Sequence, residues 1–212
     1  MTNKKRAVAS FFCITLATTV YAQEGALDDA DPLFRADDVV KVTITAPIGQ
    51  LMDERPLEEE LPGTLSYVDD TGKEISIEIQ IRTRGRYRRQ PRICRFAPSR
   101  LNVKTEQARN TLFHKQDKLK LVTHCRDRAK RYEQGVLKEY LAYRIFSELT
   151  DYSFRVRLLR INYVDVDKPK RERVSYGFVI EHRDRLAKRI GRDPLKIPRT
   201  SIRQLAPAYT NL

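Results

Sequence analysis

Isoleucines at 75, 77, 79 and 81 alternate with Ser76, Glu78, Gln80 and Arg82. A period of two over that length gives an extended strand with one apolar and one polar face. Residues 63–68 predict a second strand. Asp69, Asp70, Thr71 and Gly72 supply turn chemistry between the two, which therefore form a hairpin. Upstream, 39–45 predicts a first strand, stopped by Ala46-Pro47 and Gly49. Residues 53–60 are polar and acidic around Pro56 and predict a loop, and short strands are expected at 101–103 and 119–122.

The period then changes. From 133 to 149, Val136, Leu137, Tyr140, Leu141, Ile145 and Leu149 recur at three- and four-residue spacings, which predicts a long amphipathic helix. Its Val136, Tyr140 and Leu141 face is expected to lie on the isoleucine-rich strand. Leu141→Ala would then cost about 2–5 kcal/mol, as a cavity-forming change does. Alternation returns at 154–163, a polar loop follows at 165–173, and 175–181 comes back as the partner strand. The expected fold class is α+β: an antiparallel twisted sheet with one long packed helix.

Charge and cysteine usage add compartment and organisation. Lys4, Lys5 and Arg6 precede an apolar run to Thr19, and Ala22 offers a small residue for cleavage, so residues 1–22 predict an export signal. The expected localisation is secreted or periplasmic, with no transmembrane helix in the mature chain. Residues 23–38 predict an acidic flexible leader, 39–190 the α+β domain, and 191–212 the start of a missing or truncated C-terminal region. Residues 23–70 carry 13 acidic and 3 basic side chains, whereas 71–212 carry 15 acidic and 35 basic. A basic surface of that kind attracts phosphates and other polyanions. Removal of the signal takes Cys13 and leaves Cys94 and Cys125, which favours one disulfide in an oxidising compartment, worth roughly 3 kcal/mol.

Conventional catalytic patterns are missing. There is no Gly-x-Ser-x-Gly, His-Glu-x-x-His, Walker-type phosphate loop or Gly-x-Gly-x-x-Gly, and His114, His124 and His182 are isolated in sequence. Several short segments are nonetheless familiar in order. Arg84-Gly85 closes the isoleucine-rich strand, and Pro98-Ser-Arg-Leu-Asn-Val103 follows. Asp117-Lys-Leu-Lys-Leu-Val122 with Asp127, Lys138-Glu-Tyr-Leu-Ala-Tyr143, and Tyr176-Gly-Phe-Val-Ile reaching Glu181 come next. Together they resemble the small-lobe portion of the CotH-like atypical secretory kinases, over about residues 75–190. Ser99 departs from that pattern where an aromatic is preferred, and Arg100 where a Lys would contact phosphate.

The resemblance implies a kinase-small-lobe layout, with Arg100 or Lys104 on phosphate, Glu139 as the helix carboxylate and Glu181 at the hinge. It implies ATP and Mg²⁺ as ligands of a full-length protein, with no cofactor held by this chain. After Glu181 only Asp184 and Asp193 remain as acids, so the metal-holding carboxylates that phosphoryl transfer needs are expected beyond the chain. The chain is expected to be inactive on its own. Read from charge alone, the alternative is a non-catalytic basic envelope module. Its arc of arginines (82–95, 126–131 and 183–192) would hold an anionic polymer or lipid head group. Expected partners are accordingly an anionic envelope polymer or a protein substrate.

Overall fold

A computed structural model of the chain describes residues 31–127, 129–170 and 173–194. Its strands are β1 (Val40–Ala46), β2 (Leu61–Val68), β3 (Glu74–Thr83), β4 (Ser99–Val103), β5 (Lys118–Val122), β6 (Val156–Asp165) and β7 (Arg173–Ile180). They close into a barrel in the order β1-β2-β3-β4-β5-β7-β6. Neighbours are antiparallel except β1 and β6, which run parallel from Val40 opposite Leu159 to Ala46 opposite Asp165.

That parallel seam overturns the expected architecture. The chain is not an open antiparallel sheet carrying one long packed helix, and it does not have the small-lobe layout; it is a closed seven-stranded barrel built mostly of strands. Alternation and turn residues report hairpins between sequence neighbours. Closure depends on a parallel pairing between strands far apart in the chain, for which no local signal exists. Closing the sheet leaves no unpaired edge along that seam.

The isoleucine period does face a core, but the core is inside the barrel. Ile77, Ile79 and Ile81 are no more than 1% exposed and cluster with Leu65, Leu101 and Leu119. The outer face of β3 therefore offers no apolar bed for a helix.

Among the described residues three α-helices lie outside the sheet: α1 (Ile48–Glu54), α2 (Lys130–Leu149) and α3 (Arg183–Arg189). The sequence signals at Pro47 and Gly49 predicted only a strand end, yet α1 buries Ile48, Leu51 and Met52 there. Helix α2 packs through Val136, Tyr140 and Tyr143 on Val156, Phe178 and Ile180 of β6 and β7, not on β3. Its expected core residue Leu141 is 54% exposed, and Ile145 and Leu149 are exposed too. The cavity cost assigned to Leu141→Ala therefore does not apply.

The described part of the acidic segment ahead of β1, residues 31–39, is held against the barrel. Leu33 and Phe34 are buried in the main core, and the buried Arg157 donates to Ala36 O and to Asp38. The export signal, the leader before Asp31 and the segment from 195 lie outside the described residues. Cys94 and Cys125 form a disulfide with their Cα atoms 4.6 Å apart. It sits beside the bridge in which Phe96 N donates to Cys125 O at 2.9 Å. Among the described residues no helix is long and apolar enough to cross a membrane.

Candidate functional site

Strand register places the basic side chains. Leu101, Leu119 and Leu121 point into the barrel, so Arg100 and Lys120, directly opposite each other across β4 and β5, point out. Beyond the end of β3, Gly85 takes φ +86, a left-handed conformation suited to glycine, and Arg84 stands just before it. On the other side the chain leaves β7 through Glu181 and His182 into α3. The result is a recess of about 730 Å³ over β4 and β5. Its lining carries six Lys or Arg side chains and His182 against two carboxylates, Asp117 and Asp184.

Those carboxylates are engaged. Asp184 lies 3.2 Å from Arg183 and 3.4 Å from His182, and Asp117 accepts from the Lys118 amide at 2.6 Å. The cations are in the opposite position. Among the described residues no carbonyl or carboxylate accepts a hydrogen bond from the side chains of Arg84, Arg100 or Lys120, and Arg100 Nε is buried without a partner. Lys120 Nζ rests 5.1 Å from the centre of the Phe154 ring. Burial first, and then Arg100, hold the Arg84 guanidinium below its ordinary range. Burial, followed by Arg84, Arg100 and Arg183, does the same to Lys120. His182 is pushed down by burial, with Asp184 opposing.

Several arginines elsewhere in the fold have carbonyl or carboxylate partners, although Nε of Arg55, Arg89 and Arg157 is buried without one. Buried Arg55 donates to the carbonyls of Arg89, Cys94 and Arg95. Arg82, beside Arg100 on β3, pairs with Glu60 at 3.3 Å and also donates to Leu57 O. Arg189 pairs with Glu181 at 3.0 Å. Like charges gathered in partial burial without a partner are unfavourable unless an anion completes them. The recess is thus a place where the fold concentrates uncompensated positive charge.

Of the residues the resemblance nominated, Arg100 lies in this recess, and of the basic arc read from charge, Arg183 and Arg185 do. Lys104 is exposed at the far end of β4, 2.5 Å from Glu78. Glu139 on α2 pairs with Arg88 at 3.3 Å. Glu181 is buried, accepting from the Arg155 amide at 3.1 Å and from Arg189. Lys120 was named only within the Asp117–Val122 motif, His182 only as an isolated histidine, and Arg183 only within the basic arc. What brings them to Arg100 is the β4–β5–β7 pairing, which spacing alone does not disclose.

Two other places were candidates. Ser175 Oγ and His124 Nδ1 share a hydrogen bond of 2.7 Å, and His124 Nε2 lies 2.8 Å from Asp127. Ser175 and His124 are buried, and Asp127 is also paired with Arg173 at 3.3 Å, so the chain ties the Cys125 loop to β7. A larger cleft of about 1040 Å³ opens where β1 and β2 part beyond Thr43, but its buried cation, Arg157, is already neutralised by Asp38. Among the described residues no group of three or more His, Cys, Asp or Glu is placed to hold a metal ion.

Fold and site together define a disulfide-stapled β-barrel with a basic recess on its outer wall. No family model, curated protein or solved structure matches the chain.

Proposed function

We propose that this chain is an exported β-barrel module that binds a multiply charged, phosphate-bearing anion in the recess of Arg100 and Lys120, with Arg84 beside it. The observation that carries the reading is the convergence of three partly buried cations with no acceptor from the described residues. An anion with more than one charge would offset both their desolvation and their mutual repulsion. Secretion or periplasmic residence is supported by the Cys94–Cys125 disulfide, which persists in oxidising compartments, and by the export signal expected at 1–22. In that setting an anionic envelope polymer is the natural source of the phosphate groups.

The phosphate chain of a nucleotide carries the same multiply charged chemistry as pyrophosphate. A nucleotide is accordingly the second reading of the recess. Calorimetric titration of the mature chain with pyrophosphate and with ATP tests both. Saturable binding that falls at least tenfold in the Arg100→Gln, Lys120→Gln double variant supports anion recognition here. Tighter binding of ATP than of pyrophosphate favours the nucleotide. An absence of binding, or binding indifferent to the double variant, contradicts the proposal.

A further inference from the structure

The chain ahead of β1 meets the fold at the edge of the recess. Asp31 Oδ2 accepts from Arg185 Nη1 at 2.5 Å and from Gln116 Nε2 at 2.9 Å. Arg185 lines the recess on its α3 side. Gln116 immediately precedes Asp117 and Lys118, which line it at the start of β5. Asp31 thus sets one carboxylate of the acidic segment against the recess wall. It is fixed there from the other direction as well, because Leu33 and Phe34 just after it are buried in the main core.

The residues before Asp31 carry the charge that the recess lacks. Residues 23–30 read Gln-Glu-Gly-Ala-Leu-Asp-Asp-Ala, three acids and no base. Three extended residues span about 10 Å, so Asp28 and Asp29 are tethered within reach of the lining beyond Arg185. There Arg100 and Lys120 face outward opposite each other, with no acceptor among the described residues. A carboxylate tethered so close competes for those cations at an effective concentration on the order of millimolar. We infer that the leader, residues 23–30, occupies the recess in the ligand-free chain, with Asp28 and Asp29 standing in for the anion and yielding to it on binding. The inference rests on the anion-binding reading above and adds to it a built-in competitor.

Pyrophosphate titration of the chain from residue 23 tests it, against the Asp28→Asn, Asp29→Asn double variant. Both positions lie outside the described residues, and the variant leaves every residue of the recess unchanged. Loss of two negative charges favours any anion, so an Asp70→Asn, Glu74→Gln variant is the charge-matched control. Those two side chains are exposed at the β2–β3 turn, beside the other cleft. In about 50 mM salt the leader variant binds pyrophosphate about three- to tenfold more tightly than the unaltered chain, and the control stays within about twofold. By about 200 mM salt the gain of the leader variant shrinks, because screening weakens the tethered contact. A leader variant that binds no more tightly than the unaltered chain, or a gain matched by the control, overturns this inference while leaving anion binding intact. Pyrophosphate bound by none of the three chains overturns the anion-binding reading, and this inference with it.

Discussion

Lys120 concentrates the physical tension of the site. Its ammonium is partly desolvated, sits near Arg84, Arg100 and Arg183, and rests over the Phe154 ring. Removing that charge should relieve the unliganded fold while damaging the site. Lys120→Met is expected to stabilise the ligand-free chain by about 0.5–2 kcal/mol in urea denaturation and to weaken pyrophosphate binding at least tenfold. A variant that loses both stability and binding would mean that Lys120 is structural. His182 gives the site a pH dependence. Burial lowers its pKa, so the folded chain prefers the neutral ring, and protonation as pH falls through the ordinary histidine range near 6.5 disfavours the empty state. A bound anion has the opposite effect and favours the protonated ring. Anion affinity should therefore rise between pH 7.5 and 5.5, and His182→Gln should flatten that rise. Arg100 was singled out only through the CotH-like resemblance and not by periodicity or spacing. Gly177 was legible only as part of a motif. Its structural reason is that a Cβ there would lie 2.9 Å from Val122 O and 2.8 Å from Ile161 Cδ1, where β5 and β6 close in on β7.

Elements were read well where their signals are local. The β2–β3 hairpin pairs as the isoleucine period and the Asp69–Gly72 turn predict, with Asp69 accepting from the Thr71 and Lys73 amides at 2.9 and 3.0 Å. The period of α2 was read correctly, and Val136 and Tyr140 face the barrel as expected, but Leu141 does not and the strands they meet are β6 and β7 rather than β3. Its apolar positions span two faces, and only the one carrying Val136, Tyr140 and Tyr143 meets the barrel. Sequence spacing cannot choose between them, because the choice depends on which strands present an apolar outer surface. Two substitutions separate the faces. Val136→Ala, at 1% exposure, should cost about 2 kcal/mol, while Leu141→Ala should stay within about 0.5 kcal/mol. Chemical denaturation of the two variants checks this. A large loss at Leu141 would mean that α2 is seated the other way round.

At the scale of the whole molecule, barrel closure gives the basic side chains an address. Alternation sends leucines inward and Arg100 and Lys120 outward, and the β4–β5–β7 order then carries His182 and Arg183 to the same patch. Net charge announced an attraction for anions but not its location. Basic residues are spread along the sequence from 71 onward, and many of them, such as Arg82, Arg157 and Arg189, serve the fold. Only three-dimensional accounting of which cations lack acceptors separates the two groups. The most direct test is a pyrophosphate titration of isotopically labelled mature chain, followed by amide and side-chain chemical shifts. The account predicts saturable shifts centred on Arg84, Arg100, Lys120 and His182, with the opposite wall at Lys41 and Arg160 unmoved. Shifts centred on Lys41 and Arg160, or none that saturate, would contradict it.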